Sequence, residues 1–283
     1  MQYRSRSVVM SANPDPRPIG MFDSGEGGLT VLKRARDLYP GEHYLYAADS
    51  GHFPYGSRSL SQVREFFLSF LDFFLANNVK AIVIACNTAT AAALEIAQQI
   101  SPVPVIGVIQ PGVVDAIHAS KSGIIGILST EATYQAGVYP SALKALNPQV
   151  QLVAYPCPIL VTMVESGQTN GPQVEDRVRQ CTHALLSHYT DTVILGCTHF
   201  PHMEHIFAKV MNDQAVIIDP GLSTARLLPS ILGPLNTTGE GSMTFYTTGD
   251  PKVALHIARI LWPDLAEEPR QLIWDQSSLK TLT

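Results

Sequence analysis

Cysteine, charge and long apolar runs are all scarce in this chain of 283 residues. The four cysteines, at 86, 157, 181 and 197, form no C-x-x-C pair and no zinc-ribbon spacing. A disulfide framework is not expected in a chain this long. Charged residues make up 15%, the formal net charge is −5, and no long basic run occurs. The electrostatic footprint of a duplex-DNA or membrane-surface binder is therefore missing. No apolar stretch reaches the roughly 20 residues of a membrane span, since Val79 to Ala85 and Val103 to Ile109 are broken by Lys80 and Pro104. Residues 1–17 contain Arg4 and Arg6 but only a short apolar run at Val8, far from a signal-peptide core. They read as a disordered N-terminal extension of a soluble, cytoplasmic protein. What is plentiful is apolar: 46% of residues, with Gly and Pro at 20 each. That excludes disorder, collagen and coiled coil, and leaves one large α/β unit or two domains.

Short β-branched runs alternate with helical patterns along the whole chain, which predicts parallel βαβ units. Strands are expected at Ile19 to Phe22, Tyr44 to Tyr46, Ala81 to Ile84, Ile124 to Leu128, Leu152 to Ala154, Thr192 to Leu195, Val216 to Ile218 and Thr244 to Tyr246. The clearest helix is Leu60 to Ala76. Its Val63, Phe66, Phe67, Phe70, Leu71 and Phe74 follow helical spacing, and Ser59 with Gln62 can form a capping box. This aromatic stripe reads as core or subunit packing. A weak internal repeat at nearly constant spacing pairs Ile19-Gly20-Met21-Phe22-Asp23-Ser24 with Ile125-Gly126-Ile127-Leu128-Ser129-Thr130, Pro54-Tyr55 with Pro156-Cys157, and Ile82-to-Thr88 with Val193-to-His199. The expectation is two similar parallel-sheet α/β lobes related by a pseudo-twofold, with the ligand site in the cleft between them. The boundaries assigned are 18–112 plus roughly 220–283 for the first lobe and 113–219 for the second.

Within that repeat, Cys86 and Cys197 each follow an apolar run and precede polar residues and a helix. That is the carboxyl end of a strand, where open parallel sheets bind ligands, and a helix N-terminus favours thiolate. Two opposed acid/base groups suit removal of a proton from one face of a carbon acid and its return to the other, which is racemisation. The bland alternative is a pair of buried structural cysteines, and Cys157 and Cys181 are read that way. Asp23 alone would be a turn-forming residue, and Glu165 alone a solvated helix-end charge. Gly25-Glu26-Gly27-Gly28 invites a dinucleotide reading but fails the G-x-G-x-x-G spacing, and Glu26 would repel phosphate. His199, His202 and His205 recur every third residue without an H-E-x-x-H pair, so no metal is expected, and His202 and His205 read as surface or helix-flank residues.

These motifs, in this order, resemble the glutamate racemases of the cofactor-independent aspartate/glutamate racemase superfamily. The stretches are Phe22 to Val31, Pro54-Tyr55-Gly56, Ala85-Cys86-Asn87-Thr88-Ala89, Gly107 to Gly112, Val164-Glu165-Ser166-Gly167 and Gly196-Cys197-Thr198-His199-Phe200-Pro201. The resemblance implies a two-lobed α/β fold, no cofactor, glutamate as substrate, a homodimer and a supply of D-glutamate for peptidoglycan. It implies that Cys86 takes the α-proton from D-glutamate and Cys197 from L-glutamate, with Asp23 beside the first, His199 beside the second and Glu165 close to that histidine. Substrate contacts carry over to Asp23, Ser24, Tyr55, Gly56, Asn87, Thr88, Thr130, Thr133, Thr198 and His199. Glu26 departs from the pattern, standing where many members have an apolar residue. Tyr134 with Gln135 departs too. Two other readings compete. Aspartate racemase is disfavoured by Cys-Thr-His. A regulatory binding protein on the same fold, for instance on DNA gyrase, expects damaged catalytic positions that this chain lacks, and only the N-terminal extension favours it.

Overall fold

The computed structural model describes residues 14–281. Its strands are β1 (Ile19–Asp23), β2 (Tyr44–Ala48), β3 (Ala81–Ile84), β4 (Val105–Gly107), β5 (Ile124–Ser129), β6 (Gln151–Pro156), β7 (Thr192–Gly196), β8 (Val216–Ile218), β9 (Met243–Thr247), β10 (Arg270–Asp275) and β11 (Ser278–Thr281). Among the described residues they form two sheets, of order β11-β10-β9-β2-β1-β3-β4 and β6-β5-β7-β8. The pairs are parallel except for the hairpin β10–β11. The order β2-β1-β3-β4 recurs as β6-β5-β7-β8, so two of the three repeated segments fall on equivalent strands of two α/β lobes, β1 with β5 and β3 with β7, whereas Pro54-Tyr55 lies in a turn beyond β2 and Pro156 ends β6.

Helices on both faces explain why β1, β2, β3 and β7 are buried along their whole length. On one face of the first sheet, Leu29, Leu32 and Ala35 of the helix Leu29–Leu38 pack on Met21, Tyr46 and Val83. On the other, Phe67, Phe70 and Phe74 of the helix Leu60–Ala76 pack on Phe22, Ile82 and Ile84. Gly20 makes room for this second layer, because a Cβ there would lie 2.7 Å from the Phe74 ring. The expected capping box at Ser59 and Gln62 is formed. The phenylalanine stripe is occupied inside its own lobe: Phe66 stacks on His52 and meets Trp274 of the C-terminal hairpin, rather than forming a free subunit face.

The helix Ile109–Ala119 carries the chain to the second sheet, packing Ile109, Val113 and Ala116 against Ile125, Ile127 and Ile194. The helix Pro220–Leu232 leads back, with Ala225 and Leu228 in the first lobe's core. The chain then adds β9 beside β2.

Three differences from the sequence reading stand out. Strand β4 and the hairpin β10–β11 were not among the expected strands; β10 buries only Leu272, so it lacks a two-sided apolar run. Cys157 and Cys181 are joined as a disulfide, with Cα atoms 6.1 Å apart, in an ordinary range for such a bridge. The expectation of no disulfide came from chain length, which cannot show that the N-cap of one helix (Pro158–Glu165) meets the middle of another (Pro172–Leu186). Of the N-terminal extension, residues 1–13 lie outside the described residues, whereas Asp15 and Arg17 form an ion pair and the Asp15 carbonyl accepts from Lys80 at 2.7 Å. Among the described residues, no helix is long and apolar enough to cross a membrane.

Candidate active site

Cys86 follows β3 and serves as the N-cap of the helix Asn87–Ile100. Its sulfur accepts from the Ala89 N–H at 3.4 Å, and its thiol donates to Ser24 Oγ at 3.7 Å. Burial raises its pKa, and the nearby charges of Asp23 and Cys197 raise it further against those two hydrogen bonds. On the equivalent strand of the second lobe, Cys197 directly follows β7, with its sulfur 3.5 Å from His199 Nδ1. The other imidazole nitrogen, Nε2, faces Glu165 in a close ion pair. Burial opposes the charge on His199, but the carboxylate of Glu165 and the sulfur of Cys197 outweigh it and hold the imidazole well above its ordinary pKa.

Asp23, the last residue of β1, is fully buried and joins the two lobes. One carboxylate oxygen accepts from the Ser24 N–H at 2.7 Å, the other from Thr198 Oγ1 at 2.8 Å. Burial raises its pKa, while His199 and the two hydrogen bonds pull it down. A second bridge is made of hydroxyls: Thr88 meets Thr130 at 3.0 Å and Thr133 at 3.1 Å. Gly56 lies against Thr130, where a Cβ would come within 3.0 Å of the threonine side chain. Asn87 is oriented by the Tyr139 hydroxyl, which donates to its Oδ1 at 2.7 Å. Tyr55 donates instead to Asp49 at 2.6 Å, so its hydroxyl is already engaged. Two thiols on opposed lobes, with hydroxyls, an amide and one carboxylate around them, can hold a small zwitterion and move protons to and from it.

Known proteins resemble this chain in sequence and fold. A family model described as Asp/Glu/Hydantoin racemase matches residues 30–228. The chain belongs to this family. A glutamate racemase of Symbiobacterium thermophilum is 43% identical over 266 residues, covering 92% of this chain and 96% of the relative. The crystal structure of a glutamate racemase isoform from Bacillus anthracis aligns with TM-score 0.87 at 35% identity, over 93% of this chain and 98% of that one. That of the Francisella tularensis glutamate racemase in complex with D-glutamate aligns with TM-score 0.83 at 32% identity, over 92% and 98%. The protein is thus an amino-acid racemase, an isomerase, of the glutamate racemase type.

In this racemase the three histidines diverge. His199 serves Cys197 and Glu165, His202 donates to the Gly27 carbonyl at 3.3 Å, and His205 meets Asn170. Among the described residues, no group of three or more His, Cys, Asp or Glu side chains is placed to hold a metal ion. Asp49 was missed by sequence reasoning. It is fully buried and accepts from Tyr55, from Thr248 Oγ1 at 2.6 Å and from Trp274 Nε1 at 3.1 Å, tying the Tyr55-Gly56 turn to the C-terminal hairpin. Its place just beyond β2, beside Asp23 at the end of β1, is the signal that could have found it.

Proposed function

We propose that this racemase interconverts L- and D-glutamate by two-base proton transfer between Cys86 and Cys197, without a cofactor. The observation that carries the reading is the placement of the two thiols at equivalent strand ends of the two lobes. Cys86 as thiolate takes the α-proton of D-glutamate while the Cys197 thiol delivers one to the other face; L-glutamate runs the sequence in reverse. The burial that raises the Cys86 pKa makes its thiolate a stronger base, which suits a carbon acid as weak as an α-amino acid. The substrate's ammonium offsets the negative charge of Asp23 and so assists formation of that thiolate. Ser24, Asn87, Thr88, Thr130, Thr133 and Thr198 hold the carboxylates, with the turn Tyr55-Gly56 closing one side. Fixed donors of this kind lower the barrier by several kcal/mol, at about 1.4 kcal/mol per tenfold in rate. His199 exchanges a proton with Cys197, steadied by Glu165. The reading extends to a cytoplasmic dimer that supplies D-glutamate for peptidoglycan.

Incubation of either glutamate enantiomer with the protein in D₂O, without added cofactor, is expected to give loss of optical activity and α-deuteration of both hands. Cys86→Ala and Cys197→Ala are each expected to lower the rate at least about a hundredfold; racemisation that survives both changes overturns the mechanism. Parallel assays on aspartate decide the alternative substrate, with glutamate expected to be faster.

A further inference from the structure

Glu26 has no part in this mechanism, yet it is a buried carboxyl in the turn between β1 and the helix Leu29–Leu38. The glycines on either side of it pack on the acid/base machinery of the second lobe. A Cβ on Gly27 would fall 2.6 Å from the His199 ring, and one on Gly25 would fall 3.1 Å from the Glu165 carboxylate. The Glu26 side chain accepts from Ser50 Oγ at 2.7 Å. Tyr46, whose hydroxyl donates to the Gly25 carbonyl at 2.6 Å, feels the charges of Asp23, Glu26 and Glu165 together.

The cations of the neighbouring elements are engaged or turned outward. On the helix Leu29–Leu38, Lys33 pairs with Asp37, Arg34 with Asp219 and Glu204, and Arg36 with Glu267. The helix Pro251–Leu261 packs on the same turn but exposes Lys252, His256 and Arg259. His202, from the turn after His199, is held neutral by burial, its pKa lowered to about 3. Of the charged groups around this turn, Glu165 and His199 act on the Glu26 carboxyl, and Asp23, at the end of β1, lies against Gly28.

We propose that Glu26 is a positioning residue for proton transfer at Cys197, acting through the charge of its buried carboxyl on the Glu165–His199 pair, against which its neighbours Gly25 and Gly27 pack. This rests on the two-thiol reading above. The proton balance is closed within the site. The Cys197 thiol passes its proton to His199 Nδ1, leaving a thiolate and an imidazolium whose Nε2–H donates to Glu165. An ionised Glu26 adds negative charge on the imidazole side, draws the proton onto His199 and favours the thiolate that attacks L-glutamate. A neutral Glu26 favours the thiol that completes the reverse reaction. Burial and the charge of Glu165 lift the Glu26 carboxyl to about 7, so the two states exchange near neutral pH.

The equilibrium constant of a racemisation is one, so kcat/KM is equal in both directions at every pH. The effect of Glu26 therefore appears in the ratio of kcat from L-glutamate to kcat from D-glutamate. With the full-length protein assayed in both directions from about pH 5.5 to about pH 9, that ratio is expected to rise through about pH 7. In Glu26→Gln it stays flat across this range, and in Glu26→Asp a rise returns. Ser50→Ala, which removes a hydrogen bond to the ionised carboxylate, moves the midpoint upward by about half a pH unit or more; it reads the same quantity should Glu26→Gln fold poorly. A Glu26→Gln ratio that rises like the parent's, or a Ser50→Ala midpoint that does not move, overturns the role of Glu26 alone. A parent protein that racemises neither enantiomer overturns the two-thiol reading and this inference with it.

Discussion

Cys86 and Cys197 are each only 5% exposed, and their surroundings, more than their identity as thiols, make them different from other buried cysteines. Cys86 sits on a helix N-terminus beside Asp23; Cys197 sits against an imidazole that is itself held by Glu165. One residue in this neighbourhood opposes folding. Glu26 titrates at about 7 in the folded protein, against an ordinary value of 4.5. Between those values the folded state binds one proton more than the unfolded chain, so stability falls as pH rises; below 4.5 and above 7 the contribution is flat. Glu26→Gln removes this slope. Relative to the parent, the variant is expected to gain about 3 kcal/mol on going from about pH 4 to about pH 8, read as the difference between urea-unfolding free energies at the two pH values. An equal gap at both would show that the carboxyl titrates normally.

At the scale of elements, the turn Glu26–Gly28 matters because it lets the first lobe press on the second. Its backbone leaves no space for a side chain at Gly27, where a Cβ would strike the His199 ring. Gly27→Ala is expected to displace the imidazole and cut kcat roughly tenfold or more, because a misplacement of about 1 Å at a reacting group can cost a hundredfold, while thermal unfolding shifts much less. Elements with a strong period were legible beforehand: the helix Leu60–Ala76 has the bounds its apolar spacing implies. The hairpin of β10 and β11 was not, since Trp274 earns its place through Phe66, His52 and Asp49, all distant in sequence. Site residues divide in the same way. Cys86 and Cys197 were visible because a strand end followed by a helix start is a local pattern, and the threonines came with the resemblance. Asp49 reads locally as the start of an Asp-Ser-Gly turn, and the Cys157–Cys181 bridge depends on helix packing that no spacing encodes.

Across the whole molecule, polar contacts stitch the lobes together along one side of the cleft. Arg34 reaches Glu204 at 2.6 Å and Asp219 at 2.9 Å, Thr30 Oγ1 donates to the Thr198 carbonyl at 3.1 Å, and Thr198 reaches Asp23. A cavity bordered by Asn87, Cys197 and Thr198 measures about 10 Å³, space for roughly one water. Arg34→Ala is expected to lower stability by about 1–2 kcal/mol and to raise KM for glutamate more than it changes kcat; an unchanged KM would show that Arg34 does not set the lobe arrangement.

Under the proposed two-thiol mechanism, the near-complete burial of both sulfurs also gives the protein a memory. After converting D-glutamate it is left with a protonated Cys86 and an ionised Cys197, ready for the mirror-image molecule and unready for another of the same hand. Resetting requires Cys86 to give its proton to water it barely touches, while Cys197 can regain one from His199. When one enantiomer is in large excess, throughput is then limited by how quickly the empty protein forgets its last substrate.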